Sequence, residues 1–227
     1  MRKLMALKPT ALAAFLGVSA MIAGSGPSLA QASTPLTIAA TNGDITALEQ
    51  AIAAGTPLES RDSRQRTALM LAVQNRDIEA ARRLIEAGAD VNARDDIEDT
   101  PYLLAGASGQ IEILRLTLAH GADLASTNRY GGTALIPASE HGYVETVEAL
   151  IAAGINVDHV NRLGWTALLE AVLLGNGGPD QVTTVQRLIA AGANLNLADL
   201  DGVTPLQHAN ARGYVEIARV LEQAGAQ

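Results

Sequence analysis

The stretch RTALMLAVQNRDIEAARRLIEAGADVNA, residues 66–93, decides the fold. Thr67 is placed to cap a helix, because its hydroxyl can accept from the backbone N–H two or three residues on. A short helix over Ala68–Asn75 follows, then a polar break at Arg76. A second helix over Ile78–Ala87 sets Ile78, Ala81, Leu84 and Ile85 on one face. Gly88 ends that helix as a left-handed residue. The next segment, ADVNARDDIED (89–99), is polar and turn-rich, as a projecting hairpin loop requires.

The same order of signals recurs along the chain. Thr34, Thr67, Thr100, Thr133, Thr166 and Thr204 stand 33, 33, 33, 33 and 38 residues apart, each expected as an N-cap. Gly55, Gly88, Gly121, Gly154, Gly192 and Gly225 repeat at 33, 33, 33, 38 and 33. Pro35, Pro101 and Pro205 follow their threonines at N1, where a missing N–H costs nothing. Two independent markers with one period define a repeat, and such a unit buries its apolar face only by stacking on its neighbours. Composition agrees. The chain is 48% hydrophobic but only 3% aromatic, so its apolar mass is Ala, Leu, Ile and Val. That suits close-packed helices better than a β-sandwich.

A unit of 33 residues reading T-P-L…A…G…L-I…G-A-D-V-N resembles the ankyrin repeat, most closely in 66–93 and in VTPLQHANARGYVEIARVLEQAGA (203–226). The resemblance implies an all-α solenoid of six stacked helix-turn-helix repeats with short hairpin loops, at about 33–60, 61–93, 94–126, 127–159, 160–197 and 198–227. Three departures carry expectations. Arg76 and Glu98 replace usual glycines and need left-handed or reshaped turns. The histidine that usually follows T-P-L is absent at Thr37, Met70, Leu103, Ile136, Leu169 and Gln207. Pro137, four residues after Thr133, should deprive the first helical carbonyl of its partner.

Residues 1–32 are of another kind. Arg2, Lys3 and Lys8 precede an uncharged stretch of 14 residues, Thr10–Ala23, and then small residues with frames ending at Ala30 and Ala32. This is the layout of a secretory signal peptide. At roughly 21 Å as a helix the stretch falls short of a bilayer core. The expectation is a periplasmic protein; an uncleaved anchor in the inner membrane is the alternative. Without 1–32, thirteen arginines stand against 24 acidic residues, a net charge of −11, with no lysine. So acidic a chain is repelled by phosphate backbones and anionic lipids, so no nucleic-acid partner and no membrane contact is expected.

Catalytic readings are weak. The chain has no cysteine, which excludes disulfides, thiolate nucleophiles and Cys-ligated metals. Glu140, His141 and Glu170 could serve a small-ligand or hydrolytic function, but adjacent Glu140 and His141 splay apart on a helix. The histidines lack metal-ligand spacing, and the acidic run at 95–99 lacks a calcium loop's pattern. No enzyme activity, cofactor or metal is expected. What the family resemblance implies instead is a monomeric scaffold that binds a protein partner through a concave face. Its contacts would be Arg64, Arg66, Asp96, Asp99, Arg129, Tyr130, Arg162, Leu163 and Trp165 on the hairpins, with Leu200 also at a hairpin position, and Glu140 and His141 near a helix end. Trp165, the one tryptophan, is expected to be exposed there. The odd 38-residue interval contains LLGNGGPD (173–180). Its excess is placed at Gly175–Pro179, as an elongated loop between two intact helices.

Overall fold

The computed structural model describes residues 33–227; the expected leader, 1–32, lies outside the described residues. The described residues form twelve helices in six antiparallel pairs and no strand. First helices are α1 (Pro35–Asn42), α3 (Ala68–Gln74), α5 (Pro101–Ala107), α7 (Leu135–Glu140), α9 (Ala167–Leu173) and α11 (Pro205–Arg212). Second helices are α2 (Ile45–Ala53), α4 (Ile78–Glu86), α6 (Ile111–Ala119), α8 (Val144–Ala152), α10 (Pro179–Ala190) and α12 (Val215–Gln223). Each first helix packs on the next first helix, and each second on the next second, so the pairs stack as two layers. One apolar core runs the length of the stack. The first helices are the more deeply buried: six of the seven residues of α3 are inside. Each fully buried leucine of the series Leu36, Leu69, Leu135 and Leu168 contributes roughly 2–3 kcal/mol by its removal from water.

Thr34, Thr67, Thr100, Thr166 and Thr204 cap their helices as expected, each hydroxyl accepting from the amide three residues on. Gln207 completes a capping box in the last repeat. Thr133 is the exception. In the other repeats the threonine carbonyl accepts from the residue four on, a bond that Pro137 cannot donate. The Ile136 amide bonds to the Thr133 carbonyl instead, α7 starts late at Leu135 without a side-chain cap, and the buried Thr133 Oγ1 is left with no partner. Arg76 and Glu98 do adopt left-handed backbone, with φ of 57° and 67°, and Gln65 joins them at 59°. The face read on α4 needs one correction. Ile78, at the helix start, is exposed, and Ala80 is buried beside Ala81, Leu84 and Ile85.

The five-residue excess also differs from expectation. Only two residues lengthen the loop, which spans 174–178 rather than the three residues 75–77 of the second repeat; the other three extend α10 to 12 residues against the 9 of α4. Pro179 is the reason, because its fixed φ starts a helix at N1. The added turn places Gln181, 1% exposed, where its Nε2 donates to the carbonyls of Ser139, Glu140 and Ala171. The loop itself is held by the Tyr214 hydroxyl, which donates to the Gly175 carbonyl at 2.8 Å. The insertion therefore ties repeats four, five and six together at the helix-turn edge.

Candidate protein-binding face

Every hairpin tip is built on one acid or amide: Asp62, Asp95, Asn128, Asn161 and Asp199. In each, Oδ1 accepts from the amides two and four residues on. The backbone closes the same turn, as where the Asn161 amide donates to the Trp165 carbonyl at 3.0 Å. Such Asx turns need no regular structure to be rigid. Neighbouring tips are also joined: the Asp96 amide donates to the Arg64 carbonyl and the Arg162 amide to that of Tyr130. The two residues after each keystone form the tip, both exposed at Ser63-Arg64, Arg162-Leu163 and Leu200-Asp201 and half-buried at Arg129-Tyr130.

The structure places the expected contact residues unequally. Arg64 and Asp96 are exposed on the first two tips. Arg66 is not a free contact residue. It donates to Asp62 Oδ2 and to Gln74 Oε1, at 2.8 and 2.6 Å. Burial would raise the Asp62 carboxyl, but the Arg66 guanidinium and the backbone amides of Arg66 and Arg64 together hold it below its usual range. Asp99 is half-buried, 3.7 Å from the Arg129 guanidinium. Burial, and then Asp95, push its carboxyl up to about 6, against the pull of Arg129 and Arg94. Arg129 lies 4.8 Å above the ring of Tyr130, a cation–π contact. Arg162 is exposed and donates to the Arg129 carbonyl. Trp165 is half-buried rather than exposed; Leu163 and Leu200 are the exposed ones, at 46% and 80%. Leu200 lies over Gly164, where an added Cβ would meet it at 2.5 Å. Every tip thus carries charge (Arg64, Asp96, Arg129, Arg162, Asp201), and the last three add an apolar side chain beside it: Tyr130, half-buried, and Leu163 and Leu200, exposed.

Glu140 and His141, adjacent at the end of α7, have different neighbours. His141 is exposed and rests on the Tyr143 ring, centroids 5.3 Å apart. Glu140 lies toward Glu170, which is 6% exposed and accepts from Asn161 Nδ2 at 2.9 Å. Burial, and then the Glu140 charge, push Glu170 up to about 8, although the Asn161 bond lowers it. Burial raises Glu140 too, against His141. Glu170 therefore holds its proton at neutral pH and supports the keystone of the Trp165 tip. The adjoining hydroxyl, Ser139, is fully buried. The last repeat has the same link in another form, with His208 Nε2 donating to Asp199 Oδ2 at 2.7 Å. Among the described residues no group of three or more potential ligands could hold a metal, and no helix is long and apolar enough to cross a membrane.

The chain belongs to the ankyrin repeat family. The profile described as ankyrin repeats (3 copies) matches residues 11–95 and 102–181, and a single ankyrin repeat profile matches 163–200. The chain is similar to an ankyrin repeat domain from Acinetobacter baumannii AYE, with 61% identity, a TM-score of 0.82 and coverage of 85% of this chain and 98% of that one. It is similar to the ankyrin repeat protein EF0377, with 40% identity, a TM-score of 0.81 and coverage of 83% and 96%. A third likeness is to the ankyrin repeat domain of Bcl-3, described as a unique member of the IkappaB protein family. There identity is 31%, the TM-score 0.77, and coverage 87% and 88%. Among curated proteins, none matches the chain. Ankyrin repeats are protein–protein interaction scaffolds and generally not enzymes.

Proposed function

We propose that the protein is an exported, non-enzymatic scaffold that binds a protein partner through its hairpin tips and the groove beside them. The observation that carries this reading is the pair of exposed apolar side chains on successive rigid tips, Leu163 and Leu200, with Tyr130 and Trp165 half-buried on the same run of hairpins. Large apolar groups held in solvent by preformed turns are costly unless something covers them. Because Asn128, Asn161 and Asp199 fix the turns in advance, little order remains to be imposed on binding. The charge carried on every tip, from Arg64 to Asp201, supplies the long-range attraction that selects a partner's orientation. Periplasmic export rests on the leader-like residues 1–32, and a monomer on a stack that buries its own core.

The test is affinity capture from a periplasmic extract with the tagged chain, followed by mass spectrometry. Trp165→Ala and the double change Leu163→Ser with Leu200→Ser are run beside it. A partner recovered with the parent chain and lost with both variants, at unchanged urea midpoints for the double variant, is expected. A partner held equally by all three chains would refute the tip reading. N-terminal sequencing of the recovered chain reads export directly: a start at residue 31 or 33 supports it, and a start at Met1 contradicts cleavage.

A further inference from the structure

Between repeats three and four the groove opens into a cavity of about 60 Å³. Its walls include Asp99, Leu104 and Ala107 from one repeat and Arg129, Tyr130, Thr133 and Pro137 from the next. The sequence makes this space. Ala107 and Pro137 stand where the next level of the stack carries Glu140 and Glu170, both larger, so the groove is filled there and hollow here.

Two polar side-chain groups on this wall make no hydrogen bond among the described residues. Among the described residues no donor reaches the Asp99 carboxylate within hydrogen-bond distance; the nearest cation, Arg129, is 3.7 Å away. Thr133 Oγ1, on a residue 2% exposed, has no partner either, because Pro137 displaced it from its capping role. Asp62 and Asp199, by contrast, each accept side-chain bonds from Arg66 or His208. A buried acceptor left unmade costs more than a made bond returns. Thr133 Oγ1 is such an acceptor; the half-buried Asp99 carboxylate, ion-paired with Arg129 but without a hydrogen bond among the described residues, is the one open to a donor-rich occupant. Asp95 adds negative charge beside Asp99 while Arg129 and Arg94 oppose it locally, and the described chain as a whole carries 24 acidic residues against 13 arginines. The remaining walls, Leu104, Ala107 and Pro137, suit an aliphatic stem.

We propose that this cavity is the anchor pocket for a cationic aliphatic side chain, of the lysine type, presented by the protein partner. The inference rests on the scaffold reading above and gives the partner a chemical requirement: a basic residue beside the apolar segment that covers Tyr130 and Leu163. The ammonium would donate to Asp99 while its stem lies along Leu104 and Pro137.

The test needs no partner. The purified chain, labelled at Leu and Ala methyls and Tyr rings, is titrated at pH 7.5 by NMR with butylamine, butan-1-ol and butyrate. At that pH the Asp99 carboxyl, titrating at about 6, is ionised. Saturable shifts at Leu104, Ala107 and Tyr130 are expected with butylamine, half-complete on the order of 10 mM for a cation of five heavy atoms. They should weaken at least several-fold in Asp99→Asn and vanish at Leu104 and Tyr130 in Ala107→Leu, a side chain that repeat five carries at the matching position, Leu173. Equal shifts with butan-1-ol would make the cavity a plain apolar hollow. Stronger shifts with butyrate would assign recognition to Arg129. No saturable shift with any probe would leave only water as the occupant. Each of these three results overturns the proposal. A partner captured through the tips with no butylamine response overturns the pocket while leaving the scaffold reading standing.

Discussion

Replacing Glu170 by glutamine should stabilise the protein, and only where the carboxyl would otherwise be pressed to ionise. The folded carboxyl titrates at about 8 against an ordinary 4.5, chiefly through burial and secondly through Glu140. Below pH 4.5 the group is protonated whether the chain is folded or not, and it costs nothing. Between 4.5 and 8 the unfolded chain releases a proton that the folded chain keeps, so stability falls as pH rises through that window and levels off above it. At about 1.4 kcal/mol per pKa unit, the loss is about 3 kcal/mol by pH 7 and about 5 kcal/mol at most above pH 8. Glutamine keeps the oxygen that accepts from Asn161 Nδ2 and cannot ionise. Urea unfolding of both chains at pH 4.5, 6, 7 and 8.5 isolates the Glu140–Glu170 site, since Asp99 and the carboxyls remote from Glu170 cancel in the difference. The two curves should meet at pH 4.5 and part by about 3 kcal/mol at pH 7. A difference that does not change with pH, or a variant less stable at pH 8.5, would refute the buried protonated carboxyl.

Asn161→Ala should cost about 2–3 kcal/mol, because it removes the acceptor for two tip amides and the donor to Glu170; a red shift of the fluorescence of the sole tryptophan, Trp165, reports the loosened tip. Gln181→Ala should cost about 2–3 kcal/mol by leaving the Ser139 and Ala171 carbonyls without its Nε2, read as a fall in urea midpoint, whereas Gln186→Ala on the exposed side of α10 should be neutral. Glu98→Gly should raise stability by about 1 kcal/mol by relieving a non-glycine residue at φ 67°, measured by thermal unfolding. Pro137→Leu should restore the amide that the Thr133 carbonyl lacks and fill the cavity, giving a higher melting temperature together with loss of the butylamine response.

The periodic threonines and glycines made the stack legible, because each marks a helix boundary whose chemistry is local. The tip keystones were equally legible and went unread: Asp62, Asp95, Asn128, Asn161 and Asp199 recur at 33, 33, 33 and 38, the same spacing as the threonines. Aspartate and asparagine are so common in loops that their period is noticed only once the amides they bind are seen. The inserted turn of α10 differs from the expected loop because Pro179, directly after glycines at 175, 177 and 178, starts a helix at N1. Trp165 was placed correctly on its hairpin, but its half-burial depends on how the neighbouring repeat packs. The Glu140–Glu170 pairing and the cavity at Ala107 and Pro137 lie between repeats. They follow from which residues face each other across a stack, and a linear period does not say how deep each pair sits.

Contact through the tips is tested most directly by site-specific photocrosslinking to the captured partner. A photoreactive residue at position 163, on the fifth tip, is compared with one at position 86, exposed on α4 in the second-helix layer. Crosslinks from 163 and none from 86 are predicted; crosslinks from 86 with none from 163 would contradict the account.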